Sequence, residues 1–165
     1  MEISELAERY SAGTSERCKA IFSTLFIAAN RLQTLFDHRI PRLTLRQFML
    51  LSIARQSVEP MTLTELGKLL GCSRQNVKKL ALSLEQKGFA RLCRSQYDAR
   101  ALTLVPTETA EEYFRTEFPQ YAGELGILFS VYSEEEIRTL FELMMRMYAG
   151  LDKLETLTLK GEEEK

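Results

Sequence analysis

The apolar positions of this chain fall into blocks of two different periods. Over residues 15–38, Ile21, Phe22, Leu25, Phe26, Ala29, Leu32, Leu35 and Phe36 recur in steps of three and four, the spacing of one helix face. Pro41 separates this helix from the next, which opens on Thr44 and Gln47 and runs through Phe48, Leu51, Ile53 and Ala54 to about residue 56. Thr44 and Gln47 form a capping box, in which each side chain satisfies an end amide of the helix. Thr62 and Glu65 make a second box after Pro60 and begin a short helix ending at Gly71, and Ser73 caps another that ends at Gly88. Residues 89–105 change period: FARLCR and RALTLV flank SQYDA, which reads as two short strands and a polar tip. Thr107 caps a long helix through about residue 129, with a kink or break at Pro119. Ser133 and Glu136 form a third box and start a helix carrying Ile137, Leu140, Phe141, Met144, Met147, Tyr148, Leu151 and Leu154. The tail KGEEEK is expected to fray.

These elements describe a mainly α fold with a small β-hairpin, organised as residues 1–42, 43–106 and 107–165 of one compact domain. The middle segment is a compact helix–helix–hairpin unit. The helices on either side are apolar over more surface than they can bury alone. An ordinary single-domain core would absorb some of that surface, but long first and last helices more naturally pack against copies of themselves, in a two-fold dimer.

Composition narrows the class. The chain has 165 residues, 45% of them hydrophobic and 27% charged, as in soluble globular proteins. No apolar run approaches the roughly 20 residues that span a bilayer, and MEISELAERY lacks the features of a secretory signal, so a cytoplasmic location is expected. Cys18, Cys72 and Cys93 are odd in number and far apart, and His38 is the one histidine, so neither a disulfide framework nor a zinc motif is expected. No GxxxxGKS/T, HExxH or GxSxG is present, which argues against an enzyme, and no cofactor is expected. Net charge is −1, yet residues 61–105 hold eight basic and three acidic residues, a net of +5, which leaves −6 for the remainder. A basic middle in an acidic frame suits a protein that presents one part to phosphate.

The basic middle also carries the spacing of a helix-turn-helix. Two helices that cross closely need a small residue in the first, a turn residue able to take positive φ, and apolar anchors in the second. Gly67, Gly71 and the pair Val77 and Leu80 meet these needs in order, while Leu66 and Leu70 pack the first helix. At 100° per residue, Val77, Leu80, Ala81 and Leu84 of the second helix share one side. Gln75, Lys78 and Lys79 lie on the other, with Arg74 and Asn76 at its flanks. The polar side chains thus concentrate at the helix N-terminus, the end that enters the major groove in helix-turn-helix docking. Gln75, Asn76 and Lys79 are candidate base readers, and Arg74 and Lys78 candidate phosphate contacts. Ser73 is first an N-cap whose hydroxyl can also reach phosphate. Leu82 faces outward and does not fit the pattern. The hairpin brings Arg91, Arg94 and Arg100, and Asp98 stands where its carboxylate can hold Arg100 extended for a narrow minor groove.

The order of helix, LTLRQFMLLSIA, TLTELGKLLGCSRQNVKKLALSLEQKGFARL, a wing with DAR, then VPT and two long helices resembles the MarR-type transcriptional regulators over residues 15–155. The resemblance implies a winged-helix homodimer joined by its terminal helices on a near-palindromic duplex operator. It also implies Arg100 as the minor-groove residue of the wing, with Asp98 as its support. Pro106 stands where the family's usual leucine precedes the threonine, and Ala110 where glycine is common; both concern the start of the fifth helix and not DNA contact. Regulators of this kind often release DNA when a small aromatic or phenolic ligand binds, and Phe22, Phe26, Phe36, Phe48 and Tyr113 are candidates to line its cleft, although such a stripe is more often core. One branch of the family senses hydroperoxides through a cysteine in the first helix, which singles out Cys18; a thiol that fills core space is the simpler account, and the same applies to Cys72 and Cys93. The competing reading is a winged-helix module that turns the same basic surface to an acidic protein.

Overall fold

The computed structural model describes residues 13–40 and 42–163; Pro41, expected to separate the first two helices, lies outside them, as do residues 1–12 and the last two of the tail. The chain divides into two compact units, one ending at Arg115 and the other beginning at Thr116.

In the first unit, α1 (Thr14–Arg39) is followed by α2 (Leu45–Gln56), α3 (Leu63–Leu70) and α4 (Arg74–Gln86), then strands β1 (Ala90–Arg94) and β2 (Leu102–Pro106), and α5 (Glu108–Thr116). The helix starts are set by side chains that satisfy end amides left without an intrahelical partner. Thr44 and Gln47 close a capping box on α2, Thr62 and Glu65 close one on α3, and the Ser73 hydroxyl accepts from the Asn76 amide at 3.3 Å on α4. The core is formed by Leu50, Leu51 and Ala54 of α2, Leu63 and Leu66 of α3, Val77, Ala81 and Leu84 of α4, and Leu104 of β2, closed by Phe89 and Tyr113.

The hairpin pairs Ala90 with Pro106 through Arg94 with Leu102 in antiparallel register. The aromatic start of FARLCR is not part of the strand; Phe89 is buried against the Tyr113 ring at 5.5 Å. An unexpected isolated bridge also flanks the two-stranded sheet. Thr62 bridges Thr103, and the Leu104 amide donates to the Met61 carbonyl at 3.2 Å, so the residue that caps α3 also lies beside β2. Pro106 is tolerated at the strand end, where it removes no interior ladder bond. Ala110 is fully buried, so the departure from glycine there adds a methyl group to the core.

The long helix expected from Thr107 to about residue 129 is two helices. Pro119 is the first residue of α6 (Pro119–Phe129), a position where its missing amide hydrogen costs nothing and its fixed φ suits the helix. Thr107 precedes α5, but its hydroxyl donates to the Gly88 carbonyl at 2.7 Å, tying the helix start to the turn before β1. In the second unit α6 is followed by α7 (Glu134–Glu163), whose capping box of Ser133 and Glu136 formed as expected. The tail expected to fray is helical as far as Glu163. Among the described residues, no helix is long and apolar enough to cross a membrane.

The outer helices leave much of their apolar surface uncovered within one chain. None of the described residues of α1 is buried, and Phe22 and Phe26 are 62% and 60% exposed. On α7, Phe141, Tyr148, Leu151 and Leu154 are exposed at helical spacing.

Candidate nucleic-acid interface

The turn between α3 and α4 is built around two glycines. Gly71 adopts φ +62° at the end of α3, the left-handed region in which a side chain is strained. Gly67 sits at the helix crossing: a Cβ there would stand 2.7 Å from the Cys72 carbonyl oxygen and 3.5 Å from a Val77 methyl. The Cys72 amide donates to the Gly67 carbonyl at 2.8 Å, so backbone meets backbone where a larger residue would force the helices apart. Cys72 is half-buried in this corner.

α4 divides its two faces as the wheel predicts. Val77, Ala81 and Leu84 are fully buried and Leu80 is half-buried, whereas Ser73, Arg74, Gln75, Asn76, Lys78 and Lys79 are all exposed. Five amide- and cation-bearing side chains therefore occupy the N-terminal turn and a half of one helix, whose backbone amides add partial positive charge. Leu82, 40% exposed, lies beyond this cluster; no partner in the structure explains it.

The hairpin tip follows from an Asx turn. The Asp98 carboxylate accepts from the Arg100 backbone amide at 2.8 Å, and the Ala101 amide donates to the Asp98 carbonyl at 2.9 Å. Asp98 thus holds Arg100 by its main chain, because a carboxylate two residues upstream is in reach of the amide first. Ser95 closes the tip through its amide to the Ala101 carbonyl at 2.9 Å. Arg91, Arg94 and Arg100 are exposed, and Tyr97, at the apex, is 82% exposed. Arg74 and Arg100 line the same shallow cleft of about 280 Å³, together with Thr62, Thr64 and Asp98. The first residue of α4 and the wing arginine thus share one recess, with the start of α3 as its floor.

The wing is also fastened to α4. The Glu85 carboxylate accepts from the Leu92 amide at 2.8 Å, covering a donor on the free edge of β1. Glu85 was not singled out in the sequence, where an acid in a helix reads as surface charge. The exposed Glu65 carboxyl is held below its ordinary value of 4.5 by hydrogen bonds from the Thr62 amide and hydroxyl, each at 2.7 Å. The Glu136 carboxyl of α7 is lowered in the same way by the Ser133 amide and hydroxyl.

The five aromatic candidates do not converge on one cleft within the chain. Phe36, Phe48 and Phe114 pack with tilted rings at 5.2 and 5.4 Å where α1, α2 and α5 meet, and the Arg55 guanidinium lies 4.9 Å over the Phe114 ring. Tyr113 is fully buried among Phe89 and Phe114 and is a core residue. Phe22 and Phe26 pair edge-on at 5.0 Å on the exposed face of α1, and Phe22 is about 21 Å along the helix axis from Phe36. Cys18 is exposed, so it fills no core space within the chain; the neighbouring Lys19 ammonium is engaged by Glu16 at 2.7 Å. Cys93, expected to be a packing residue, is exposed too, because it lies on the outward side of β1.

Comparison with known proteins agrees with this geometry. The family model described as "MarR family" matches residues 43–102, which is the segment from the start of α2 to the first residue of β2. The transcriptional repressor MprA of Escherichia coli strain K12 is 30% identical over 139 residues, covering 84% of this chain and 67% of that protein. Among solved structures, a MarR transcriptional regulator from Methanosarcina mazei Go1 superposes with a TM-score of 0.73 at 18% identity, covering 82% of this chain and 99% of the other. The MepR–DNA complex of S. aureus does so with a TM-score of 0.68 at 19% identity, covering 79% and 97%. With its basic winged helix-turn-helix and its wing arginine, the chain belongs to the MarR family and is a DNA-binding transcriptional regulator, not an enzyme.

Proposed function

We propose that the chain acts in the cytoplasm as a homodimeric repressor on a near-palindromic operator, and that a small aromatic ligand releases it. The observation that carries the DNA reading is the exposed cluster Arg74–Lys79 at the N-terminus of α4, with Arg100 across a shared recess. In this reading Gln75, Asn76 and Lys79 contact base edges in the major groove, Arg74, Lys78 and Arg94 contact phosphate, and Arg100 enters the minor groove. Ser73 and Asp98 set the backbone from which these side chains extend.

The dimer reading rests on the uncovered apolar faces of α1 and α7, which a second copy would bury about a two-fold axis. A relative named as a transcriptional repressor and a fold neighbour solved with DNA support action at an operator. For the effector, the half-buried aromatic group of Phe36, Phe48 and Phe114 offers ring faces to an aromatic ligand, beside an Arg55 guanidinium that Glu111 already engages at 2.7 Å. The test is selection of bound sites from random duplex DNA, combined with sedimentation of the protein alone. A dimer that selects two inverted half-sites with centres roughly 34 Å apart is expected. A monomer that selects a single asymmetric site overturns the dimer reading, and failure of every candidate phenolic to displace DNA overturns the effector.

A further inference from the structure

Among the described residues three capping boxes start helices, and one of them is built differently. Those of α3 and α7 use exposed glutamates, Glu65 and Glu136. The box of α2 uses Gln47, which is only 6% exposed. Capping requires one acceptor atom and no burial, so the difference calls for a second role.

Gln47 spends both ends of its amide. Its Oε1 accepts from the Thr44 amide at 3.1 Å, the capping bond, and from the Lys87 ammonium at 2.9 Å. Its Nε2 donates to the Ser83 hydroxyl at 2.8 Å. Ser83 and Lys87 are four residues apart, so they lie on the same side at the C-terminal end of α4. The Lys87 ammonium donates further to the Arg42 carbonyl at 2.5 Å. Arg42 is the one non-glycine with positive φ among the described residues, at 76°. Its guanidinium lies 4.7 Å over the Phe89 ring. One buried amide therefore joins the strained turn before α2, the start of α2 and the end of α4.

We propose that Gln47, Ser83 and Lys87 are positioning residues for base recognition, a polar clamp that fixes the rotation of α4 about its own axis. This rests on the reading of α4 as the base-contacting helix. The apolar anchors Val77, Ala81 and Leu84 hold α4 against the core and Glu85 ties it to the wing, but apolar contact is non-directional and permits a helix to roll, and the wing bond is made by an exposed carboxylate. Hydrogen bonds from two positions one turn apart do not. A helix with its side chains is about 5–6 Å in radius, so a roll of about 10° moves a side-chain tip by about 1 Å. Paired bonds to a base edge do not survive that displacement, whereas long cationic side chains still reach phosphate. Lys87 thus serves sequence reading without contacting DNA, although it is one of the eight basic residues of the segment.

The test compares Gln47→Met, Gln47→Glu, Ser83→Ala and Lys87→Met with the parent dimer, measuring affinity for the selected operator and for a scrambled duplex across a salt series. Each protein is melted first to establish that it is folded. Gln47→Met and Lys87→Met are expected to lower the ratio of operator to scrambled affinity about tenfold, while scrambled-duplex affinity and its salt slope hold. Gln47→Glu, which keeps the acceptor for both Thr44 and Lys87, should restore most of the ratio. Ser83→Ala removes one hydroxyl and should give a smaller loss in the same direction; it decides the matter if the larger changes do not fold. An unchanged ratio in folded Ser83→Ala and Lys87→Met overturns the proposal, as does a Lys87→Met slope flattened by about 0.9, the signature of a lost phosphate contact. Gln75→Ala is the control: if it too leaves the ratio unchanged, the base-reading assignment of α4 has failed and not the clamp alone.

Discussion

The carboxylate of Asp98 holds Arg100 by its backbone amide, at 2.8 Å, and leaves the guanidinium to extend from a fixed turn. What Asp98 supplies is an acceptor, with charge as a secondary matter. Asp98→Asn keeps a carbonyl oxygen at the same place and should bind operator nearly as the parent does. Asp98→Ala removes the acceptor and should weaken binding by about threefold to tenfold, the worth of one net hydrogen bond. Equal losses in the two variants, read by fluorescence anisotropy, would mean that the charge matters and the turn does not.

Within α4, base readers and phosphate contacts should separate by experiment. Lys78→Ala is expected to weaken binding to every duplex alike and to flatten the slope of log affinity against log salt by about 0.9. Gln75→Ala and Asn76→Ala should leave the slope in place and each cost about 1–3 kcal/mol of discrimination at one operator position. Site selection repeated with each variant identifies that position. If sequence preference survives both substitutions, the assignment of these two residues is wrong.

Gly67→Ala should destabilise the fold by about 1–3 kcal/mol, because the added methyl meets a carbonyl oxygen that cannot move without opening the turn. Denaturant unfolding measures this directly. A stability equal to that of the parent would show that the helices can spread at no cost.

Two capping carboxylates should make part of the protein's stability depend on acid pH. The Glu65 and Glu136 carboxyls are both held below 4.5 in the folded chain by hydrogen bonds to their charged forms. A carboxyl lowered on folding adds stability that is complete above its unfolded value and is lost as pH falls through its folded one. Stability should therefore be level on this account above about pH 5 and decline below the mid-4 range. Glutamine caps equally well without titrating, so Glu65→Gln with Glu136→Gln should flatten that decline in thermal melts between pH 5 and 3. An unaltered acid profile would assign the decline to other groups.

Much of this was legible in the sequence, for reasons tied to local chemistry. The Thr44, Thr62, Ser73 and Ser133 caps are decided by a few adjacent residues and appear where expected. So do the buried side of α4 and the roles of Gly67 and Gly71, since a period of 3.6 and a forced turn both leave marks in the residues themselves. What escaped depends on residues distant in sequence. The bond from Gln47 to Ser83 spans 36 positions, and the bridge of Thr62 to Thr103 spans more. Nothing local distinguishes a capping glutamine that is buried from one that is not. In the sequence Pro119 reads as a kink or break, but its use as a first helical residue depends on where the preceding helix stops. The aromatic stripe is only half legible, because helical spacing groups Phe22, Phe26 and Phe36 on one face without saying how far along it they lie.

The wing is fixed at its root on both sides, by the Met61 and Thr62 segment against β2 and by Glu85 against β1. Only the short tip from Ser95 to Ala101 extends beyond these ties. With the proposed contacts at α4 and the wing, the protein would meet DNA as a caliper whose root is already set, with the ordering entropy of the strands met in folding and not in binding. A rigid gauge transfers adjustment to the object being measured. Where the spacing of major and minor groove differs from the caliper's opening, it is the duplex that must twist or bend, and sequences that deform readily would be favoured even at base pairs no side chain reaches.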